Sequence, residues 1–390
     1  MYCRVVHLTS VHCAFDNRIF HKECKSLATA GYDVTLVAPN PDSKTIDDAV
    51  KLVAVRPPKN RSERVARTIW DVYGAALRTK AEIYHFHDPE LMPVGVLLKA
   101  QGKKVIYDVH EDYPNTISCS EWVRPVLRRP LAAGTGVIEM VCSTIFDRVI
   151  AATPIIAARF PSAKTNLVQN YPWREELCPS PASTSYRERD PIVVYVGRLS
   201  NVRGLREMVS AVLLVAPHAQ VKLVTAGEAA GGGEADLELG YGTGLVEHRG
   251  LLNRTEVAEL MAHSRVGIVV LNPLKAYVQA QPTKLYEYMS AGLPVVASDF
   301  PIWREIVTSA ECGLLVDPLN PQAIAEALLW LLQHPEEAEK MGQRGRRAVH
   351  EIFNWERESK QLLAIYAGLR PARGRLGQEA QTKPAGAEEK

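Results

Sequence analysis

The sequence predicts an α/β protein in which two doubly wound parallel sheets face one crevice. Three observations predict this class. Short apolar runs without alternation, typical of strands buried on both faces, alternate with helical patterns along the chain. A segment rich in proline and serine, at 171–191, separates six such runs from another six and indicates a boundary between two domains. At 390 residues, the chain is long enough for two or three domains.

The strands are predicted one by one from these runs. In the first half they are expected at 3–10, 32–39, 81–88, 103–111, 147–154 and 165–172. In the second half they are expected at 191–200, 220–228, 246–252, 265–272, 293–300 and 312–318. Helical patterns lie between them, for example at 18–30, closed by Gly31, and at 322–333. Loops that leave the carboxyl ends of parallel strands form the ligand crevice in such folds, so these loops carry the candidate site residues.

The domain boundaries follow from composition. The tail from residue 371 is polar and has almost no large apolar residues, so we expect it to be disordered. The predicted units are a first domain at 1–172, a linker at 173–190, a second domain at 191–352, a terminal helix at 353–370 and the tail at 371–390.

Composition excludes several classes of protein. The 46 basic and 44 acidic side chains give a net charge of only +2, which argues against a dedicated nucleic-acid binder. Seven scattered cysteines, without CxxC pairs or zinc-ligand spacing, indicate reduced thiols and no metal site. The first residues lack the apolar core of a signal peptide, and no apolar stretch is long enough to span a bilayer. We therefore expect a cytoplasmic protein.

The sharpest functional pattern lies in the second half. Arg198 follows a predicted strand, and Arg203 and Gly204 open the next helix. Fixed positive charge beside the unpaired N–H groups of a helix N-terminus forms an anion site, and arginine can bind a phosphate bidentately. The alternative is a pair of solvated surface arginines.

A second pattern runs from 282 to 296. Pro282 and Thr283 suit a helix start, and Lys284 and Glu287 then share one helix face. They either form a structural ion pair, or Lys284 binds a phosphate while the carboxylate of Glu287 accepts hydrogen bonds from ribose hydroxyls.

Together these patterns resemble the nucleotide-sugar half of the family 4 retaining glycosyltransferases, which have the GT-B fold of two Rossmann-like domains. The resemblance covers residues 3–370. It includes the first-half segments VHCAFDNRIFHKECKSLATAGYDVTLVAP, HFHDPE and YDVHEDYP, and FNWE at 353–356. It implies that the first domain is the acceptor side, that the second binds the nucleotide sugar, and that the terminal helix returns to the first domain.

The resemblance also implies roles for individual residues. Arg198 and Arg203 would bind the donor diphosphate, and Glu287 the ribose. Gln279 stands where many members have a glutamate that contacts the transferred sugar, and it cannot stabilise positive charge as a carboxylate would. The implied donor-binding residues are Arg198, Arg203, Gly204, Gln279, Lys284, Leu285 and Glu287.

His110 and Arg198 are the candidate catalytic residues. His110 follows the strand at 103–111 and matches a family histidine that is implied to hydrogen-bond the donor sugar. A structural histidine is the alternative. Asp88, at the end of the preceding strand, either orients His110 or caps the helix that begins near Pro89.

The loop after the first strand lacks the paired glycines that many members place against the donor phosphate. Asp16 and Arg18 in this loop therefore line the acceptor side, or else form a helix N-cap and a surface charge. The run Gly231–Gly233 lacks the strand-to-helix setting of a dinucleotide site, so we expect a flexible loop there.

Residues 122–131 mix Trp122, Val126 and Leu127 with three arginines. Such a mixture suits peripheral attachment to an anionic membrane surface, and the first 170 residues carry 22 basic against 17 acidic side chains. The alternative is a helix packed on its own domain with its arginines in solvent.

The predicted activity follows from the resemblance. It implies a retaining transferase that moves a sugar from a UDP- or GDP-sugar to a hydroxyl of a glycan or lipid-linked acceptor. No Asp-x-Asp triplet occurs, so neither a metal nor another cofactor is expected. The alternatives are a sugar-nucleotide epimerase or phosphorylase of the same fold, and a catalytically silent scaffold that binds sugar nucleotides.

Overall fold

The computed structural model describes residues 2–39, 49–120, 123–177 and 186–370, and within them the chain forms two parallel sheets. The first sheet contains β1 (Arg4–Leu8), β2 (Asp33–Pro39), β3 (Lys51–Val55), β4 (Ile83–Phe86), β5 (Lys104–Val109), β6 (Arg148–Ala151) and β7 (Thr165–Leu167). The second contains β8 (Ile192–Val196), β9 (Lys222–Ala226), β10 (Val246–His248), β11 (Val266–Val269), β12 (Val295–Ser298) and β13 (Gly313–Val316). The strand orders are β3-β2-β1-β4-β5-β6-β7 and β10-β9-β8-β11-β12-β13. Both orders are doubly wound, so the predicted fold class is confirmed.

Helices cover both faces of each sheet. In the first half they are α1 (Lys25–Thr29), α2 (Arg61–Glu63), α3 (Ile69–Arg78), α4 (Met92–Ala100), α5 (Tyr113–Ser118), α6 (Pro125–Ile145) and α7 (Pro154–Ala157). The second half begins with α8 (Leu205–Val215), α9 (Gly233–Tyr241), α10 (Arg254–His263), α11 (Lys275–Val278) and α12 (Thr283–Ser290). It continues with α13 (Pro301–Ala310), α14 (Pro321–Gln333), α15 (Pro335–Glu351) and α16 (Trp355–Leu369). The helix predicted at 18–30 is π-helical over Asn17–Cys24 before it becomes α1.

The strand β3 was missed by the sequence analysis. It lies at the edge of the first sheet, where it pairs only with β2 among the described strands. Only Val55 of its five residues is buried, and Lys51 is exposed. An edge strand with one solvated face does not need an unbroken apolar run, so its sequence carries a weak signal.

The predicted linker at 173–190 is partly built into the second domain. Leu177, and Tyr171 just before the linker, are buried in the core beneath the second sheet, and Tyr186 is buried on its other face. Residues 178–185 lie outside the described residues. The described part of this segment therefore packs as domain structure, because its few apolar side chains are enough to anchor it.

The terminal helix α16 packs on the first domain. Trp355 is fully buried, and its indole Nε1 donates a hydrogen bond to Ser26 Oγ at 2.9 Å. Tyr366 lies against the ring of Tyr32 and contacts the histidines of the first sheet. The helix begins at Asn354, whose side chain accepts a hydrogen bond from the backbone N–H of Arg357. The predicted tail at 371–390 lies outside the described residues.

Candidate active site

Both domains line a small cavity of about 110 Å³ in the crevice. Its walls are Arg18, His110, Ala152, Thr153, Asn170, Tyr171, Gln281, Thr283 and Tyr286. Two hydrogen bonds join the domains beside it. Asn115 Nδ2 donates to Gln279 Oε1 at 3.1 Å, and Gln169 Nε2 donates to Gln281 Oε1 at 2.7 Å. Gln279 therefore lies at the domain boundary, where it faces the first domain.

Two cations of the second domain lie together at the end of β8. The Lys284 side chain runs across Gly197, whose φ of 140° only glycine adopts readily, and a Cβ at this position would collide with the lysine. Lys284 Nζ lies 5.7 Å from the centre of the Tyr195 ring, and the Arg203 guanidinium lies 5.7 Å from that of Tyr277. Burial, and then the charge of Arg203, lower the pKa of Lys284 to about 8. A bound anion would relieve this repulsion.

Glu287 has a different partner from the one that helix spacing suggests. Its Oε1 accepts a hydrogen bond from Arg254 Nη1 at 2.9 Å, and the same guanidinium binds Glu176 through Nε at 2.9 Å. Glu287 is only 8% exposed. The structural ion pair of Glu287 is thus with Arg254 and not with Lys284. Arg254 lies in the first turn of α10, and its side chain reaches Glu287 on α12.

The other residues of the predicted donor site take different positions. Arg198 is exposed on the loop after β8, and its carbonyl accepts a hydrogen bond from Tyr195 Oη at 3.0 Å. Gly204 has a φ of 72°, and a Cβ there would collide with the carbonyl oxygen of Val270. The side chain of Leu285 is fully buried in the core, so the predicted contact with the donor would be made by its backbone.

The glycine run Gly231–Gly233 corrects another expectation. It lies between β9 and α9, which is a strand-to-helix setting, and Gly233 is the first residue of the helix. Gly231 and Gly232 have φ values of 55° and 84°, and a Cβ on Gly232 would press against the amide of Asn201. The run is therefore a tight turn packed on the loop after β8. Only the four residues 227–230 separate the glycine run from the end of β9.

His110 follows β5 and lines the cavity. Its Nδ1 lies 3.6 Å from Asp108 Oδ2, and its ring stacks on that of His87 with centroids 5.2 Å apart. Burial lowers the pKa of His110 to about 3, so the imidazole is neutral at physiological pH. Its Nε2 has no hydrogen-bond partner within the described chain, which leaves this atom available to a ligand.

Arg18 is a buried partner of Asp108. It is 3% exposed, and its Nε and Nη2 bind the two oxygens of Asp108 at 3.1 and 2.9 Å. Its Nη1 donates to the Val168 carbonyl at 3.0 Å. The alternative that Arg18 is a surface charge is therefore wrong. The sequence analysis missed Asp108, although its spacing of two residues from His110 places both side chains on one face of the strand.

Asp16 and Asp88, the two aspartates predicted for the acceptor side, form hydrogen bonds with nearby loop and helix residues. Asp16 Oδ1 accepts hydrogen bonds from the backbone N–H groups of Arg18 and Ile19 at 2.8 and 2.9 Å, as expected of an N-cap. Asp88 neither caps the turn at Pro89–Leu91 nor forms a recorded contact with His110. Its Oδ2 accepts from Thr9 Oγ1 at 2.8 Å and from the backbone of Ser10 at 2.6 Å, so it fixes the loop after β1.

The helix α6 next to the crevice carries its apolar residues outward. Only Ala132, Glu139 and Ser143 are buried, and Glu139 binds Tyr107 Oη at 2.8 Å and pairs with Arg159. The exposed apolar side chains are Val126, Leu127, Leu131, Val137, Ile138, Met140, Val141 and Ile145. Trp122, at the start of the predicted membrane segment, lies outside the described residues. No helix in the described ranges has the length and apolar character needed to cross a bilayer.

Two family models match this sequence, one in each domain. Residues 17–164 match the model described as Glycosyltransferase Family 4, and residues 180–348 match Glycosyl transferases group 1. Together they span most of both sheets.

Individual relatives carry transferase names. The chain is 26% identical to an MMP alpha-(1->4)-mannosyltransferase of Mycolicibacterium hassiacum, over 79% of this chain and 74% of that one. It is 27% identical to a phosphatidyl-myo-inositol mannosyltransferase of Mycobacterium leprae, over 67% of this chain and 73% of that one.

Solved structures show the same fold at low identity. A sucrose-phosphate synthase from Thermosynechococcus elongatus superposes with a TM-score of 0.74 at 19% identity, over 95% of this chain and 99% of that one. The Anabaena protein HepE in complex with UDP-glucose superposes with a TM-score of 0.69 at 12% identity, over 94% of this chain and 100% of that one.

Proposed function

Since the chain belongs to the family 4 glycosyltransferases and has the GT-B fold, we propose that it moves a sugar with retention from a UDP- or GDP-sugar to a hydroxyl acceptor. One observation carries this proposal. Lys284 lies in the first turn of α12 beside Thr283, which lines the cavity together with His110, and its side chain crosses Gly197 within the electrostatic reach of Arg203. A diphosphate bound to these cations places the linked sugar toward His110.

The cations supply the charge stabilisation. As the bond from the anomeric carbon to the diphosphate breaks, the leaving oxygen becomes negative, and Lys284, Arg203 and the exposed Arg198 stabilise it. The first N–H groups of α12 add to this, because its N-cap residue, Pro282, makes no side-chain cap hydrogen bond. In this proposal the diphosphate needs no divalent ion.

Glu287 is proposed to hold the ribose. Arg254 occupies its Oε1 and fixes the side chain in one orientation. The second oxygen then accepts the hydrogen bonds of the ribose hydroxyls. This arrangement pairs an almost buried carboxylate with a cation and leaves its second oxygen for a ligand.

His110 and Gln279 are proposed to contact the transferred sugar. The neutral imidazole offers Nε2 to a sugar hydroxyl, and the amide of Gln279 offers a second hydrogen bond in exchange for Asn115. The acceptor oxygen then attacks the face from which the diphosphate departs, and a phosphate oxygen takes its proton. The new bond forms at the anomeric carbon with retention.

The test is a thermal-shift screen in EDTA against UDP-, GDP-, ADP- and TDP-sugars with the free diphosphates, followed by turnover on acceptor panels. We expect one nucleotide series to stabilise the protein, because ligands that bind the native state raise the unfolding temperature. Absence of any shift overturns the donor proposal. Binding without turnover on any acceptor supports the silent scaffold, and conversion of the donor without acceptor supports an epimerase.

We further propose a lipid-linked acceptor and attachment of α6 to an anionic membrane surface from the cytoplasmic side. The outward apolar residues of α6 lie next to the exposed Arg124 and Arg129, which suits a membrane with negative headgroups. A groove of about 720 Å³ runs from this helix to Asn115 beside the cavity, and Arg129 and Lys275 line it. These cations match an acceptor that carries phosphate.

Vesicle sedimentation tests this second proposal. We expect binding to phosphatidylglycerol vesicles, little binding to phosphatidylcholine vesicles, and loss of binding in Val126→Asp, whose wild-type residue is 87% exposed. Leu251→Asp is the matched control, because Leu251 is 81% exposed on the second domain. Equal binding of both variants and the wild type would contradict attachment through α6.

A further inference from the structure

A buried group of histidines lies beneath the crevice in the first domain. His7 on β1 pairs in register with His85 on β4, and His87 follows two residues later on the same face of the sheet. The helical turn over Asn17–Cys24 covers this face and brings Glu23 onto it. All four side chains are inaccessible to solvent. Four ionisable groups have thus been placed where an ordinary α/β core has apolar ones.

Their potential ligand atoms converge. The carboxylate oxygen Oε2 of Glu23 lies 3.8 Å from His7 Nδ1, 3.9 Å from His85 Nδ1 and 4.0 Å from His87 Nε2. His7 Nδ1 and His87 Nε2 are 3.0 Å apart. One ligand atom from each of the four residues lies within 4.8 Å of all the others. This is the spacing at which one small cation can contact all of them.

The environment favours a cation at this point. Glu23 Oε2 receives no hydrogen bond from any described residue, and Arg18 faces the other carboxylate oxygen at 3.0 Å. A buried carboxylate oxygen beside three imidazoles forms a set of donor atoms that a divalent cation accepts.

The surrounding residues orient the imidazoles as those around a metal do. His87 Nδ1 lies 3.2 Å from Asp108 Oδ2, so its Nε2 points toward His7 Nδ1, 3.0 Å away, and toward Glu23. His7 Nε2 lies 3.1 Å from Tyr366 Oη, so its Nδ1 faces the same way. A carboxylate or hydroxyl on the second nitrogen of a histidine ligand is typical of metal sites.

We propose that His7, Glu23, His85 and His87 bind one Zn²⁺ ion that ties β1, β4 and the first helical segment together below His110. Three imidazole nitrogens and one carboxylate oxygen are ligands that Zn²⁺ accepts in a four-coordinate site. The site is closed to solvent, so the ion is structural. It lies in the first domain, whereas Arg203 and Lys284 lie in the second. The expectation that no metal is needed would then apply to the diphosphate site alone.

The first test is the metal content of the full chain, purified without a histidine tag from zinc-supplemented cells. We expect about one equivalent of zinc after dialysis against metal-free buffer, because a closed site exchanges slowly. X-ray absorption at the zinc edge should show imidazole and oxygen ligands. A wild-type content below about 0.1 equivalent, both as purified and after refolding with Zn²⁺, overturns the proposal, and so does sulfur ligation.

Variants locate the ion. Glu23→Gln and His85→Asn should lower the zinc content at least about fivefold, whereas His21→Asn, an exposed histidine on the same helical segment, should not change it. Undiminished zinc in both ligand variants would mean that the ion binds elsewhere. If these variants fail to fold, the wild-type content and its absorption spectrum still decide the question. Donor binding is measured separately, so failure of this proposal leaves the transferase proposal open to its own test.

Discussion

In the first domain the polar groups beneath the crevice form hydrogen bonds and ion pairs with one another. The cations of the second domain have few such partners among the described residues. Asp108 is held by both Arg18 and His87, and His110 stacks on this group. On the other side, neither Arg203 nor Lys284 forms a salt bridge within the part of the chain that the structure describes. On the first wall Asp108 is therefore paired within the chain, whereas on the second wall we propose that a ligand supplies the missing negative charge. Substitutions should accordingly affect stability and catalysis on the first wall, and affinity on the second.

The largest effect is expected from Arg18→Ala. It leaves the buried Asp108 carboxylate without its bidentate partner, which typically costs about 3–5 kcal/mol of unfolding free energy. Urea denaturation measures this loss. Arg67→Ala is the control, because its exposed pair with Asp71 should contribute about 1 kcal/mol or less. A similar small loss in both variants would show that the first wall does not depend on this ion pair.

His110→Ala should lower turnover by about 10²–10³-fold, the typical effect of removing one donor or acceptor at the reacting centre. The affinity for the donor nucleotide should change little, because we propose that the nucleotide binds the second domain. Steady-state kinetics and calorimetric titration separate the two effects. His263→Ala, at the exposed last residue of α10, should behave as wild type. Equal losses of turnover and affinity would identify His110 as a structural residue.

Glu287→Ala should weaken nucleotide binding about 10- to 100-fold, the contribution of hydrogen bonds to a charged group. The fold should survive, because Arg254 keeps Glu176 as its partner. Titration with the nucleoside diphosphate measures the effect, and Glu247→Ala on the surface of the same domain is the control. Unchanged affinity would remove Glu287 from the ribose site.

The smallest effect is a dependence of affinity on pH. The lowered pKa of Lys284, about 8, means that the side chain loses its proton as the pH rises through this value. Only the protonated amine attracts a diphosphate, so affinity should be full at pH 7 and fall about tenfold per unit above pH 8. Lys284→Arg stays charged and should give a flat profile. The same slope in both proteins would contradict phosphate binding by Lys284.

The sequence predicted the parts of this molecule that depend on local pattern. Unbroken apolar runs located the other twelve described strands, and only the half-solvated β3 was missed. The positions of Arg198, Arg203 and Lys284, from which we propose an anion site, could also be anticipated, because each follows a strand or opens a helix. Partners that are distant in sequence could not be found this way. Arg254 lies 33 residues from Glu287, and His7 lies 80 residues from His87. The register of β1 with β4 brings the histidines together, and the packing of the second domain brings Arg254 to Glu287.

The position of α16 has a consequence for how the protein folds during its synthesis. The first domain is synthesised first, yet Trp355 and Tyr366 fill its interior from the last helix of the described chain. While the chain is still on the ribosome, the second domain has all its strands before the first has its final helix. Contacts across more than three hundred residues close slowly, because the intervening loop must be ordered. The domain that begins synthesis is therefore the last to finish folding, and its histidines stay accessible until the C-terminal segment arrives.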